Sequence, residues 1–242
     1  MHRFPLLVLT LLLASGAGCL SNEPLEFDVT LSSEQAAVVQ TYVDGVLSET
    51  SAAEVTFNFS GAPTATTYTL AVSDGREPLT VSAEEGVLVP LTFAAHGVHN
   101  VTATAEDAQG RSASMTFAVR VNLHLVWTEE GTQDPGVLSF DPSPVHGGPF
   151  ADYITIESVV SNPDLIENLG GGREVDVTWR LIDPLGGTCQ QHSDVVHEGE
   201  SAAWTTLHFT TYEAHDLAVD YNEGQDEIDV QHTVVVIYDP AP

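Results

Sequence analysis

Ser114-Met115-Thr116-Phe117-Ala118-Val119-Arg120-Val121 sets Met115, Phe117, Val119 and Val121 on one side and small or polar residues on the other. A period of two is the signature of an extended strand with one buried face. After Asn122 the chain runs into Leu123-His124-Leu125-Val126-Trp127 and then a polar stretch from Thr128 to Gly136. Outward from this segment the same alternation recurs. Glu54-Val55-Thr56-Phe57-Asn58-Phe59 places Val55, Phe57 and Phe59 together, and Ala203–Phe209 and Thr233–Tyr238 are further strands. Turn signals separate them: Ser73-Asp74-Gly75, Glu85-Gly86, Gln109-Gly110, Gly170-Gly171-Gly172 and Gly186-Gly187. No sustained helical stripe competes, except over Ser33–Leu47, where Val39, Val43 and Val46 could line a short helix. The pattern predicts an all-β chain of two antiparallel β-sandwich domains in tandem, about 24–122 and 123–242, with a junction that can be one continuous, stiff strand.

Composition bounds what such a chain can do. The 242 residues hold 35 acids against six basic residues, all of them arginine, for a formal net charge of −29. So few cations exclude a surface that grips phosphate backbones, and hence a nucleic-acid partner. For a globule of this mass the surface scaling gives about one net charge per 350 Å², a spacing wider than the screening length at physiological salt. Short hydrated carboxylates in place of lysine keep a protein soluble at high salt, which points to a halophile's surface.

The N-terminus gives an address. Arg3 precedes the apolar run Leu6–Leu13, as long as the apolar part of an export signal and too short to cross a bilayer. Ala14-Ser15-Gly16-Ala17-Gly18-Cys19 then resembles the cleavage box of prokaryotic lipoproteins. That resemblance implies a signal peptide over residues 1–18, lipid on Cys19, and a membrane partner reached through that lipid at the cell surface; simple secretion is the alternative. The sequons Asn58-Phe59-Ser60 and Asn100-Val101-Thr102 make Asn58 and Asn100 possible glycosylation sites on an exported chain.

Residues 54–122 resemble a PKD-type domain, an immunoglobulin-like sandwich, on Val55-Thr56-Phe57, on Tyr68-Thr69-Leu70-Ala71-Val72-Ser73-Asp74-Gly75, and on Gly97–Asp107 followed by Gly110–Ser114. Leu70 and His99 stand where the family usually has tryptophan and tyrosine. The second half resembles CARDB-type adhesion modules more faintly, through Phe140-Asp141-Pro142-Ser143-Pro144, Glu198-Gly199-Glu200-Ser201-Ala202 and the acidic turn around Asp220–Asp229. Both resemblances imply two immunoglobulin-like sandwiches serving as a spacer, adhesion or binding module, with a surface protein or polysaccharide as partner and no catalytic residues.

Two metal readings compete with this. Cys189-Gln190-Gln191-His192 with His197, and His146 upstream, offers thiolate and imidazole to copper or zinc, as in sandwich-fold electron carriers. The sequence favours the plainer alternative of a loop thiol among solvated histidines. Asp220, Asn222 and Asp226 alternate hard oxygens as flexible calcium loops do, against the plainer reading of an acidic, solvated turn. A third possibility is an accessory subunit of a larger surface machine, bound through an exposed sheet edge. No cofactor is required by the favoured reading.

Overall fold

The computed structural model describes residues 25–163 and 173–239. The signal segment, Cys19 and the Gly170–Gly172 turn lie outside them. Within the described residues there is no α-helix, one 3-10 turn over Ala83–Glu85, and sixteen strands. In the first half these are β1 (Thr30–Leu31), β2 (Gln35–Val43), β3 (Val46–Ser51), β4 (Ala53–Asn58), β5 (Ala65–Val72), β6 (Leu79–Ser82), β7 (Leu88–Phe93) and β8 (Gly97–Asp107). Then come β9 (Ser112–Thr132), β10 (Leu138–Phe140), β11 (Tyr153–Ser161), β12 (Glu174–Ile182), β13 (Thr188–His197), β14 (Ser201–His208), β15 (His215–Glu223) and β16 (Ile228–Ile237).

The alternating patterns fold as expected into faces. In β4, Ala53, Val55 and Phe57 turn inward and pair with Phe93, Leu91 and Val89 of β7. This β1-β4-β7 sheet faces a second one built from β6, β5, β8 and the first part of β9. Phe57 and Phe117 meet edge to face across the gap at 5.8 Å, and Phe59 stacks on Tyr68 at 4.3 Å. The second half repeats the plan: β10-β15-β12-β13 faces β14-β11-β16 and the remainder of β9. Both halves are thus β-sandwiches.

β9 joins them. Its residues 112–121 pair with β8 and residues 123–132 with β16, while β2 runs parallel along residues 120–128. A strand has two edges, and Val121 has partners in both β8 and β2, while Leu123–Thr128 have partners in both β16 and β2. The strands β8 and β16 therefore follow one another along one edge, and β2 splints the opposite edge across the junction. Val119, Val121, Leu123, Leu125 and Trp127 all face inward without a break in phase. Each such burial contributes roughly 1.5–3 kcal/mol, and the buried side chains of the two halves form one connected cluster. Among the described residues every strand pair is antiparallel except β2 with β9.

The stretch from Ser33 to Leu47 is no helix but the β2–β3 hairpin. Asp44 and Gly45 sit at φ 47° and 78° between the paired Val43 and Val46. A two-residue hairpin turn needs two left-handed positions, which an Asp-Gly pair supplies. Tyr42 in this hairpin stacks on Trp127 at 5.9 Å. β3 pairs only with β2 among the described residues and is exposed along all its length.

A polar chain ties the second sandwich across its core. The Trp179 indole N–H on β12 donates to Ser158 Oγ on β11 at 2.7 Å, and Ser158 Oγ lies 2.8 Å from His232 Nδ1 on β16. An indole can only donate, so the serine proton is free to go to Nδ1, leaving the histidine neutral with its proton on Nε2. At the junction, His96 Nδ1 lies 2.9 Å from Tyr238 Oη, and the Tyr238 amide donates to Asn122 Oδ1 at 2.9 Å. Burial and the Asp141 charge push the Tyr238 phenol well above its ordinary range.

Candidate functional site

The sequence-predicted metal ligands do not gather as their spacing suggested. Cys189 and His192 both lie on β13, an odd number of residues apart, where successive side chains alternate faces. His192 stacks against Trp179 at 5.8 Å, His197 Nδ1 lies 3.6 Å from Glu174 Oε2, and His146 lies against His99 with ring centres 6.5 Å apart. Each of the three imidazoles is thus engaged in a different place.

The calcium ligands are likewise committed to other partners. Asp220 holds Arg180, with Nη2 to Oδ1 at 2.6 Å, and Arg173 Nη1 lies 2.8 Å from Asp226 Oδ1. Asn222 donates its side-chain amide to Asp176 and Thr178 on the neighbouring strand. Asp220 and Asn222 share an outward face of β15, whereas Asp226 is buried in the following turn. Guanidinium groups from elsewhere in the chain take the charge that a calcium ion would have met.

A different grouping forms at one end of the second sandwich. The Sγ of Cys189 and one ring nitrogen each of His208 and His215 all lie within 4.8 Å of one another. Three local features converge there. His208 is the last residue of β14 and points inward with Trp204, four residues earlier on the same face. His215 opens β15 in the opposite sheet, so the loop over 209–214 carries the chain from one sheet to the other. Thr211 anchors that loop by donating to the Ala151 carbonyl at 2.6 Å. Cys189 is the extra residue of a bulge: Leu181 pairs with Gln190 and Ile182 with Thr188, leaving it unpaired. Bulges re-aim side chains. Asp183 fixes the turn behind it, its Oδ1 accepting from the amides of Leu185 and Gly187 at 2.8 Å each.

The two histidines are 7% and 2% exposed, and their rings meet edge to face at 4.7 Å. His208 Nε2 and His215 Nδ1 are buried without any hydrogen-bond partner. Burial, reinforced by His215, holds the His208 imidazole below its ordinary pKa. The Cys189 thiol is pushed up by burial and by the charges of Asp183 and Glu213. Sequence spacing missed the two histidines because both are distant from Cys189 along the chain; a histidine in phase with Trp204 was the one available signal.

Asn100 is exposed on β8 and Asn58 half-buried at the end of β4, where its Oδ1 accepts from the Ser60 amide at 3.0 Å. His96 and His99, near the start of β8, are both buried. His99 Nε2 lies 3.1 Å from the Ala95 carbonyl oxygen, and Nδ1 lies 3.9 Å from Asp74.

Residues 14–120 match the PKD domain family. The first half of the chain is thus similar to a PKD domain. The match begins earlier than residue 54 and takes in β1, β2 and β3 beside the strands that carried the resemblance. No curated protein matches the chain. Among solved structures, carbohydrate-binding modules of the β-sandwich superfamily align at 13% identity over 90% of this chain and 98% of theirs, with a TM-score of 0.30. A Bacteroides uniformis β-glucuronidase aligns at 10% identity over 85% of this chain and 30% of its own, with a TM-score of 0.31. A xylan-binding domain from Paenibacillus barcinonensis aligns at 10% identity over 72% of this chain and 83% of its own, with a TM-score of 0.25. No ligand or activity passes to this chain at such scores. The PKD-like half is a sandwich whose last strand continues into the next one.

Proposed function

We propose that this chain is a non-catalytic cell-surface module, tethered through lipid on Cys19, that holds a protein- or polysaccharide-binding surface away from the membrane of a salt-adapted prokaryote. The observation that carries this reading is β9. One 21-residue strand serves both sandwiches, with β2 laid along its junction. Separate domains on a flexible linker move relative to one another by default; a shared strand and a shared core oppose that motion and suit a spacer. The PKD match supports a surface binding or adhesion role. The charge pattern supports the environment: Arg76, Arg111, Arg173 and Arg180 each sit on an aspartate, so the few cations are consumed locally and the remaining surface is acidic.

The test is fractionation of the producing cell together with intact mass of the membrane-extracted protein. The expected result is a mass increment at Cys19 and movement of Cys19→Ser from membrane to medium. An unmodified Cys19, or a variant that stays on the membrane, would overturn the tether. A polysaccharide or protein retained by the immobilised chain at high salt would identify the partner; failure to retain any surface component of the producing cell would count against a binding role.

A further inference from the structure

We propose that Cys189, His208 and His215 form a binding site for one divalent first-row transition-metal ion, zinc or copper, that bridges the two sheets of the second sandwich. The donor set is a thiolate and two imidazoles, the combination such ions select. Hard cations such as calcium and magnesium prefer oxygen and are excluded.

Geometry comes first. Around a tetrahedral ion with bonds of roughly 2.0–2.3 Å, ligand atoms stand about 3.3–3.7 Å apart. The three donor atoms here already lie within 4.8 Å of one another, so closure needs side-chain movements of about 1 Å and no backbone rearrangement.

The orphaned nitrogens are the second observation. A buried polar atom without a partner is costly and calls for an explanation. At this one spot there are two, His208 Nε2 and His215 Nδ1. The other nitrogen of His215, Nε2, lies 2.9 Å from the Thr210 carbonyl oxygen. A carbonyl only accepts, so Nε2 carries the proton and Nδ1 keeps a lone pair. That is how a metal-binding imidazole is oriented from behind. Asp183 and Glu213 lie near enough to raise the cost of a free thiolate; the same charges favour a cation beside the sulfur. Cys189 is exposed, which leaves an entry path and a position open to water.

Binding displaces one proton from the Cys189 thiol to solvent and forms three coordinate bonds, with no change of oxidation state. Because the ligands come from β13, β14 and β15, the ion would clasp the edge of one sheet to the other, where Gln190 already links them by donating to the Leu207 carbonyl at 2.9 Å.

The test uses the full chain freed of metal and titrated with cobalt(II), a coloured stand-in for zinc, and separately with copper(II). The expected result is a thiolate-to-cobalt charge-transfer band that saturates at one equivalent and is displaced by zinc. Cys189→Ser should abolish it, although Cys19 remains, and His208→Gln or His215→Gln should weaken binding at least tenfold. His192→Gln and His146→Gln should bind as the parent does. Zinc should also slow alkylation of Cys189, read on its own peptide, a measurement that needs no variant to fold. An intense visible band with copper(II) that requires the same three residues would assign the site to copper rather than zinc. Absence of a charge-transfer band with either ion, alkylation unaffected by zinc, or a band that depends on His192 would overturn the proposal.

Discussion

Acid should destabilise this protein through His232. The imidazole is 1% exposed, receives Ser158 on one side and has no partner at Nε2, and burial lowers its pKa to about 4. Unfolded, the same group binds its proton near 6.5. Between those two values the unfolded chain holds a proton that the folded chain refuses, so stability is complete above about pH 6.5 and falls as pH drops toward 4. The difference, at about 1.4 kcal/mol for each tenfold change in proton affinity, comes to about 3 kcal/mol. That is a large share of the roughly 5–15 kcal/mol that stabilises a typical native protein. Urea unfolding of the parent and of His232→Gln, each at pH 7.5 and pH 4.5, measures it. The glutamine keeps an acceptor for Ser158 but cannot titrate, so the variant should lose about 2–3 kcal/mol less than the parent over this interval. His96, His99, His124 and His208 are also held low by burial; they act in the same direction in both proteins and cancel in the comparison. Equal losses in the two proteins would refute the assignment to His232.

Two further outcomes test the packing. Leu125→Ala removes a side chain 1% exposed at the centre of β9 and should cost about 2–5 kcal/mol; calorimetry should show both halves unfolding in one shifted transition, and two separated transitions would contradict the shared core. Gly61→Ala would bring a Cβ to 2.5 Å from the Asp28 Cβ and 2.6 Å from its carbonyl oxygen, so the urea midpoint should fall by the equivalent of roughly 1–3 kcal/mol.

The sheets were readable because alternation is local: Val55, Phe57 and Phe59 reveal their face without knowing what lies opposite. Trp127, Trp179 and Trp204 follow the same alternation in their strands and are 3%, 0% and 8% exposed. The β2–β3 hairpin was misread as a possible helix because Val39, Val43 and Val46 fall at helical intervals by coincidence. Asp44-Gly45 was the signal that mattered, since its turn chemistry closes a hairpin and leaves a helix nothing. The metal and calcium readings share one physical feature. Both assembled ligands from neighbours in the chain, whereas a sandwich brings together residues from facing sheets. His208 and His215 reach Cys189 only because a loop crosses between sheets and a bulge turns the thiol, and Arg180 reaches Asp220 only because β12 lies beside β15. None of these pairings leaves a spacing in the sequence.

One uninterrupted strand makes the two sandwiches a single stiff body. Amide hydrogen exchange across residues 118–128 tests it most directly. Val121, Leu123 and His124, paired with strands on both sides, should exchange as slowly as the middles of β8 and β16, and lose protection only with global unfolding. Exchange of those three amides at the rate of an exposed loop, while both sandwiches stay protected, would show a hinge in place of a splint.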